Sequence, residues 1–127
     1  MEFILAESQF KKYISDKVIN FSLIPAEVRR RIGLYIDIPM IQKYIIKQVK
    51  EHNPEDFWGD YDEYTHEIVG EVAERVLIIK GVNVGDIGAS GFPAQEKWSM
   101  MFELIEKLYG EEIQKYYFNT IVKNSNS

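Results

Sequence analysis

Few side chains in this sequence combine the residue types and spacings that chemistry requires. Glu63-Tyr64-Thr65-His66 is a Glu-x-x-His step, which on a helix brings both side chains to one face; di-metal bundles use that step twice. It occurs once here, and the other histidine, His52, belongs to no such step, so the spacing does not build a di-iron site. Glu67, Glu71 and Glu74 step by four and three and share a helical face, and Glu103 with Glu106 repeats the three-step further along. Acidic steps on two antiparallel helices are the minimum needed to hold Mg²⁺ against a triphosphate, because a hard cation takes several oxygens from facing elements. Nucleophilic catalysis has no support. Ser90 lacks a nucleophile-elbow context, the two histidines lie within an acidic region, and the absence of cysteine removes a thiolate, a Cys-ligated zinc and a disulfide framework.

Those carboxylates need helices to hold them, and the apolar periodicity supplies candidates. Ser8 is a plausible N-cap for a first helix with Phe10, Tyr13, Ile14, Val18 and Phe21 on one face. Pro25 opens a second, with Val28, Ile32, Tyr35 and Ile36 as its stripe, which should end near Asp37. Pro39 begins a third, bearing Met40, Ile41, Tyr44, Ile45 and Val49. Asn53 is expected to cap a single turn, and Asp60 with Glu63 forms a capping box that starts the longest helix, which Gly81 stops. Pro93 opens a helix carrying Trp98, Met101, Phe102, Ile105, Leu108 and Tyr109. Gly110 is expected to interrupt it before a last helix with Ile113, Tyr116, Tyr117 and Ile121. Trp98 and Met101 are expected in the core. The predicted class is all-α: an irregular bundle of about five main helices with one Gly-rich loop at about 81–93, forming a single domain over 1–123 with a polar tail at 124–127. The run Gly85–Gly91 does not spell a phosphate-binding loop, since it lacks both the Gly-Lys-Ser/Thr ending and a preceding strand.

One stretch invites comparison with a known family. Glu67-Ile68-Val69-Gly70-Glu71-Val72-Ala73-Glu74 resembles the Glu-rich, Gly-Glu-containing helix of all-α nucleoside triphosphate pyrophosphohydrolases of the MazG type, and Glu103-Leu104-Ile105-Glu106 is similar to their second acidic motif. The resemblance implies Mg²⁺ held by Glu67, Glu71, Glu74, Glu103 and Glu106. It spans about a dozen residues, and it departs from the family pattern at two places: an acid is required where Ile68 stands, and Asp where Glu106 stands.

Charge gives the other strong signal. Residues 1–50 carry nine Lys/Arg and five Asp/Glu, residues 51–80 two and nine, and residues 81–127 four and six, for a net charge of −5. Between Glu51 and Glu71 stand eight acids and no Lys or Arg. Charge of one sign concentrated in this way steers a partner of the opposite sign. The partner expected is a protein: another copy of the chain, docking its basic half on the acidic segment so that a ring or filament results, or a basic protein covered by Glu51–Glu71 as an inhibitor or immunity protein would cover a basic active site. In the first case Asp56, Trp58, Asp60, Tyr61 and Asp62 meet Arg29, Arg30 and Lys47 of a neighbour. Trp58, Tyr61 and Tyr64 form an amphipathic set of the kind that interface cores favour.

Nucleic acid is disfavoured by the pI of 5.1, and Arg29-Arg30-Arg31 point in three directions on a helix rather than forming one patch. No 18-residue apolar run suits a membrane span. The N-terminal MEFILAESQFKK has neither the basic start nor the apolar length of a signal peptide, so a cytoplasmic or virion location is expected. Seventeen Ile against five Ala and eleven Lys against four Arg is the usage of an AT-rich genome, such as that of a low-GC bacterium or its phage. The preferred expectation is therefore a non-enzymatic helical interaction module, an assembly or adaptor subunit of a larger (phage-type) oligomeric structure, with no cofactor. The Mg²⁺-dependent pyrophosphohydrolase and the acidic inhibitor are the alternatives.

Overall fold

Short polar side chains decide where the helices start. In a computed structural model, which describes residues 2–17, 19, 22, 24–57, 59–83 and 93–125, with side chains from Gln9 to Thr120 within them apart from 93 and 119, five α-helices are present and no strand occurs among the described residues. They are α1 (Glu2–Asp16), α2 (Ala26–Ile32), α3 (Ile38–Glu51), α4 (Tyr61–Ile79) and α5 (Pro93–Ser125), with 3₁₀ turns at Gly33–Tyr35 and Pro54–Asp56. The all-α bundle is thus as expected.

The Asp37 carboxylate accepts the Met40 N–H at 3.1 Å to cap α3. Asn53 accepts from Glu55 at 3.0 Å for the 3₁₀ turn, and Asp60 accepts from Glu63 at 3.0 Å for α4. Each uses one of the donors that a helix start leaves unpaired. At the far end of α4, Gly81 takes φ of +101°, and its N–H reaches the Ile78 carbonyl at 3.0 Å while the Val82 N–H reaches Leu77 at 2.9 Å. That pair of bonds is a Schellman stop, and the positive φ is why glycine stands there.

Several boundaries differ from the expectation: α1 ends at Asp16, before Val18 and Phe21, which lie outside the described residues. Ser8 lies inside α1 and does not cap it, because the helix already begins at Glu2. The second helix ends at Ile32, short of Asp37. Gly33 carries the chain into a 3₁₀ turn, and Asp37 must be extended (φ −132°, ψ 95°) to cap α3. Gly110 does not interrupt α5, which extends to Ser125, into the expected polar tail. Gly110 has no positive φ and is buried where α5 crosses Thr65 of α4, so packing holds a residue of poor intrinsic propensity in the helix. Of the Gly-rich loop, 84–92 lie outside the described residues.

α4 and α5 together form the centre of the molecule. α4 packs against α3 and α5, while α1 leans on α5 and α3, and α2 on α5. Tyr64, Ile68, Val69, Val72, Ala73, Val76 and Leu77 of α4 are fully buried and meet Ile41, Ile45 and Val49 of α3 and Met101, Ile105, Tyr109 and Ile113 of α5 in one core. The contacts Gly70 to Trp98, His66 to Phe102 and Thr65 to Gly110 set α4 and α5 antiparallel. A part-buried polar node ties three helices at the other flank: Lys17 binds Glu112 of α5 at 2.6 Å and the Leu108 carbonyl, and Gln42 of α3 donates to the Tyr109 hydroxyl at 3.1 Å and to the Lys17 carbonyl at 3.2 Å. No described helix is long and apolar enough to cross a membrane.

Candidate interaction surface

The buried faces of α4 leave one strip for solvent. Glu63, His66, Glu67, Gly70, Glu71 and Glu74 fall at steps of three and four, and a single longitudinal stripe results. Beside it runs α5, whose Trp98 and Phe102 stand four apart. Together they bound a groove of about 540 Å³ lined by Glu63, His66, Glu67, Gly70, Glu71 and Glu74 of α4 and by the Trp98 and Phe102 rings of α5. Trp98 and Phe102 are half-buried with ring centroids 5.3 Å apart, and His66 lies 5.4 Å from Phe102. The Trp98 indole N–H donates to the Gly70 carbonyl at 3.3 Å. The indole lies against the α4 backbone at Gly70, where a Cβ would meet Trp98 at 3.5 Å in ordinary van der Waals contact. Met101 is in the core as expected, whereas Trp98 is only partly so.

The acids of this face are not paired off among the described residues. Among the described residues the ion pairs use Glu27, Asp37, Glu96, Glu106, Glu111 and Glu112, and none of the acids from Glu51 to Glu74 takes part. Glu51, Glu55, Asp56, Asp60, Asp62, Glu63 and Glu67 are exposed, and Glu71 and Glu74 half-buried. Asp60 also serves as the α4 cap.

The tyrosines of the segment part ways. Tyr61 stays at the surface, stacked on Phe118 of α5 at 4.9 Å. Tyr64 turns inward, contrary to its place in the expected interface set: its ring lies 5.3 Å from Phe57 and from Tyr117, and its hydroxyl donates to the His52 carbonyl at 2.6 Å. Burial pushes that phenol far above its ordinary pKa. Trp58 lies outside the described residues.

The basic side chains expected to match this face are only partly available. Arg30 forks onto Glu27 at 2.7 and 2.8 Å, which draws the Glu27 carboxyl below its ordinary pKa, and Arg31 pairs with Glu96 of α5. Arg29 is exposed without an ion pair among the described residues, and Lys47 is exposed with its ammonium 5.8 Å from the Tyr44 ring.

The five glutamates of the Mg²⁺ alternative are divided. Glu67, Glu71 and Glu74 share the groove wall, Glu103 is exposed and does not line the groove, and Glu106 faces His66 at 3.1 Å in a neighbouring depression of about 250 Å³. No three acidic or histidine side chains among the described residues are grouped to hold a metal ion. Ile68, where the pyrophosphohydrolase pattern requires an acid, is fully buried in the core. Comparison with protein-family models, with curated proteins and with solved structures finds no match to this chain.

The groove itself was not foreseen. Trp98, Phe102 and Glu106 recur at steps of four, a signal present in the sequence but identical in form to that of a core stripe. Only the antiparallel pairing with α4, and the missing side chain at Gly70, separates the two.

Proposed function

We propose that this chain is a non-enzymatic helical interaction module, an assembly or adaptor subunit that offers the acidic face from Glu51 to Glu74 to a basic surface of another protein. The observation that carries the proposal is the absence of any ion pair from those acids among the described residues, while Arg30 and Arg31 of α2 are engaged with Glu27 and Glu96. Unpaired charge of one sign beside half-buried aromatic surface lowers stability through self-repulsion and raises the rate of encounter with an opposite charge. Of the three cations expected opposite this face, Arg30 is held by Glu27 while Arg29 and Lys47 are exposed, so a different basic protein is the partner assigned and a second copy is the rival reading.

The test is association with a peptide of alternating lysine and serine, followed by stopped flow as a function of salt. Neutralising Asp60 and Asp62 to asparagine, which keeps the α4 cap, should slow association about threefold or more at low salt. Removing equal charge at Asp16 and Glu103 should change it little. Equal effects from the two variants would reduce the surface to net charge and refute the proposal. Light scattering across ionic strength checks the self-assembly route, for which a salt-dependent mass is required.

A further inference from the structure

We infer that the α4/α5 groove receives an arginine side chain of the partner, with the guanidinium laid on Trp98 and Phe102 and forked by glutamates of the α4 stripe. This rests on the acidic-face proposal and narrows it to one anchor.

The groove joins the two things a guanidinium needs and other cations use less well. Its lining is partly aromatic: Trp98 and Phe102 are half-buried, with ring centroids 5.3 Å apart. Its wall is anionic: Glu67, Glu71 and Glu74, one helical turn apart and without ion pairs among the described residues, present carboxylates in a row. Arginine is planar, weakly hydrated, stacks on rings and bonds a carboxylate through two N–H groups at once, whereas lysine is a compact and strongly hydrated point charge. The carboxylates supply the fork that arginine can use and lysine cannot, and the neighbouring rings add a stacking surface, so the preference requires the α4 glutamates. The volume of about 540 Å³ exceeds one side chain, so flanking backbone of the anchor enters with it. The indole N–H is already held by the Gly70 carbonyl, which fixes the Trp98 plane before a ligand arrives. Little ordering is then left for binding to supply.

The experiment compares two probes on the full chain: a peptide of alternating arginine and serine, and its lysine counterpart. Affinities are read by calorimetry, and the Trp98 indole N–H resonance by NMR. The arginine peptide should bind about tenfold more tightly than the lysine peptide and shift the Trp98 resonance. In the variant Glu67→Gln/Glu71→Gln/Glu74→Gln the preference should vanish. In Asp60→Asn/Asp62→Asn both affinities should fall together and the preference persist. Equal affinity of the wild type for both peptides, or an unmoved Trp98 resonance, overturns the groove assignment while leaving the acidic-face proposal standing. Survival of the preference in the triple variant overturns it too. Failure of both peptides to bind at low salt sinks the two proposals together.

Discussion

Replacing Lys17 with methionine removes the cation from the node that joins α1, α3 and α5. The ammonium sits 2.6 Å from Glu112 Oε1 and also donates to the Leu108 carbonyl; the two charged side chains are 33% and 19% exposed. The second carboxylate oxygen, Oε2, is enclosed and has no hydrogen-bond partner, so Lys17 is what keeps that charge tolerable. Breaking a fully buried pair by deleting one member costs about 3–5 kcal/mol, and an exposed pair contributes about 0–1 kcal/mol. At this intermediate burial Lys17→Met should cost about 2 kcal/mol, or roughly 8 °C in Tm for a domain of this size. Removing both charges, in Lys17→Met/Glu112→Leu, should recover all but about 1 kcal/mol, because no carboxylate is then left stranded. Urea unfolding of wild type, both single variants and the double variant at pH 7 measures the coupling. Single effects that simply add, to within about 0.5 kcal/mol, would refute the reasoning and show that the pair contributes no energy of its own.

Gly110→Ala should stabilise the protein by about 0.5–1 kcal/mol, since α5 is continuous there and the new methyl meets only Glu106 Cγ at 3.4 Å and Thr65 Cγ2 at 4.0 Å; a lower thermal midpoint would contradict this. Asp37→Ala should cost about 1 kcal/mol at pH 7 by removing the α3 cap, and Asp37→Asn less than half of that in the same urea titration. The Met40 N–H, aided by Lys80, holds the Asp37 carboxyl below its ordinary pKa, so its contribution is full above the unfolded carboxylate pKa and fades as pH falls through the lowered value. The wild-type advantage over Asp37→Ala should therefore shrink in acid. Tyr64→Phe leaves the His52 carbonyl without its hydroxyl donor and should cost about 1 kcal/mol. Because burial raises the Tyr64 phenol, the folded state favours its neutral form. That stability is present below pH ~10 and lost as pH rises through the raised value; burial raises Tyr109 as well, so the alkaline absorbance titration should show late-ionising tyrosines of which Tyr64→Phe removes one.

What the sequence revealed and what it hid follow one division. Features decided within a turn of the chain were legible: the caps at Asn53 and Asp60, the stop at Gly81 and the start at Pro93 depend on local hydrogen bonds and φ. Features decided by a neighbour were not. Gly110 has the type of a helix breaker, and only Thr65 packing across from it explains the continuous α5. Tyr64 belongs to the acidic segment by position and to the core by orientation, since it shares the Ile68 and Val72 face of α4. The acidic run was plain in the sequence. Its lack of ion pairs among the described residues was not, because that depended on where Arg30 and Arg31 of α2 were sent. The groove needed both α4 and α5 in place, and no single helix contains it.

One consequence of the unbroken α5 reaches beyond stability. Thirty-three residues at helical rise make a rod about 50 Å long, with Trp98 in its second turn and Tyr116 about 27 Å further along, where its ring lies 4.9 Å from Phe10 of α1. Two helices joined at Gly110 could swing separately; a single shaft cannot. A force applied by a partner at Trp98 would be delivered, as tilt, to the seat of α1 further along, and the molecule would answer as a lever answers and not as a hinge.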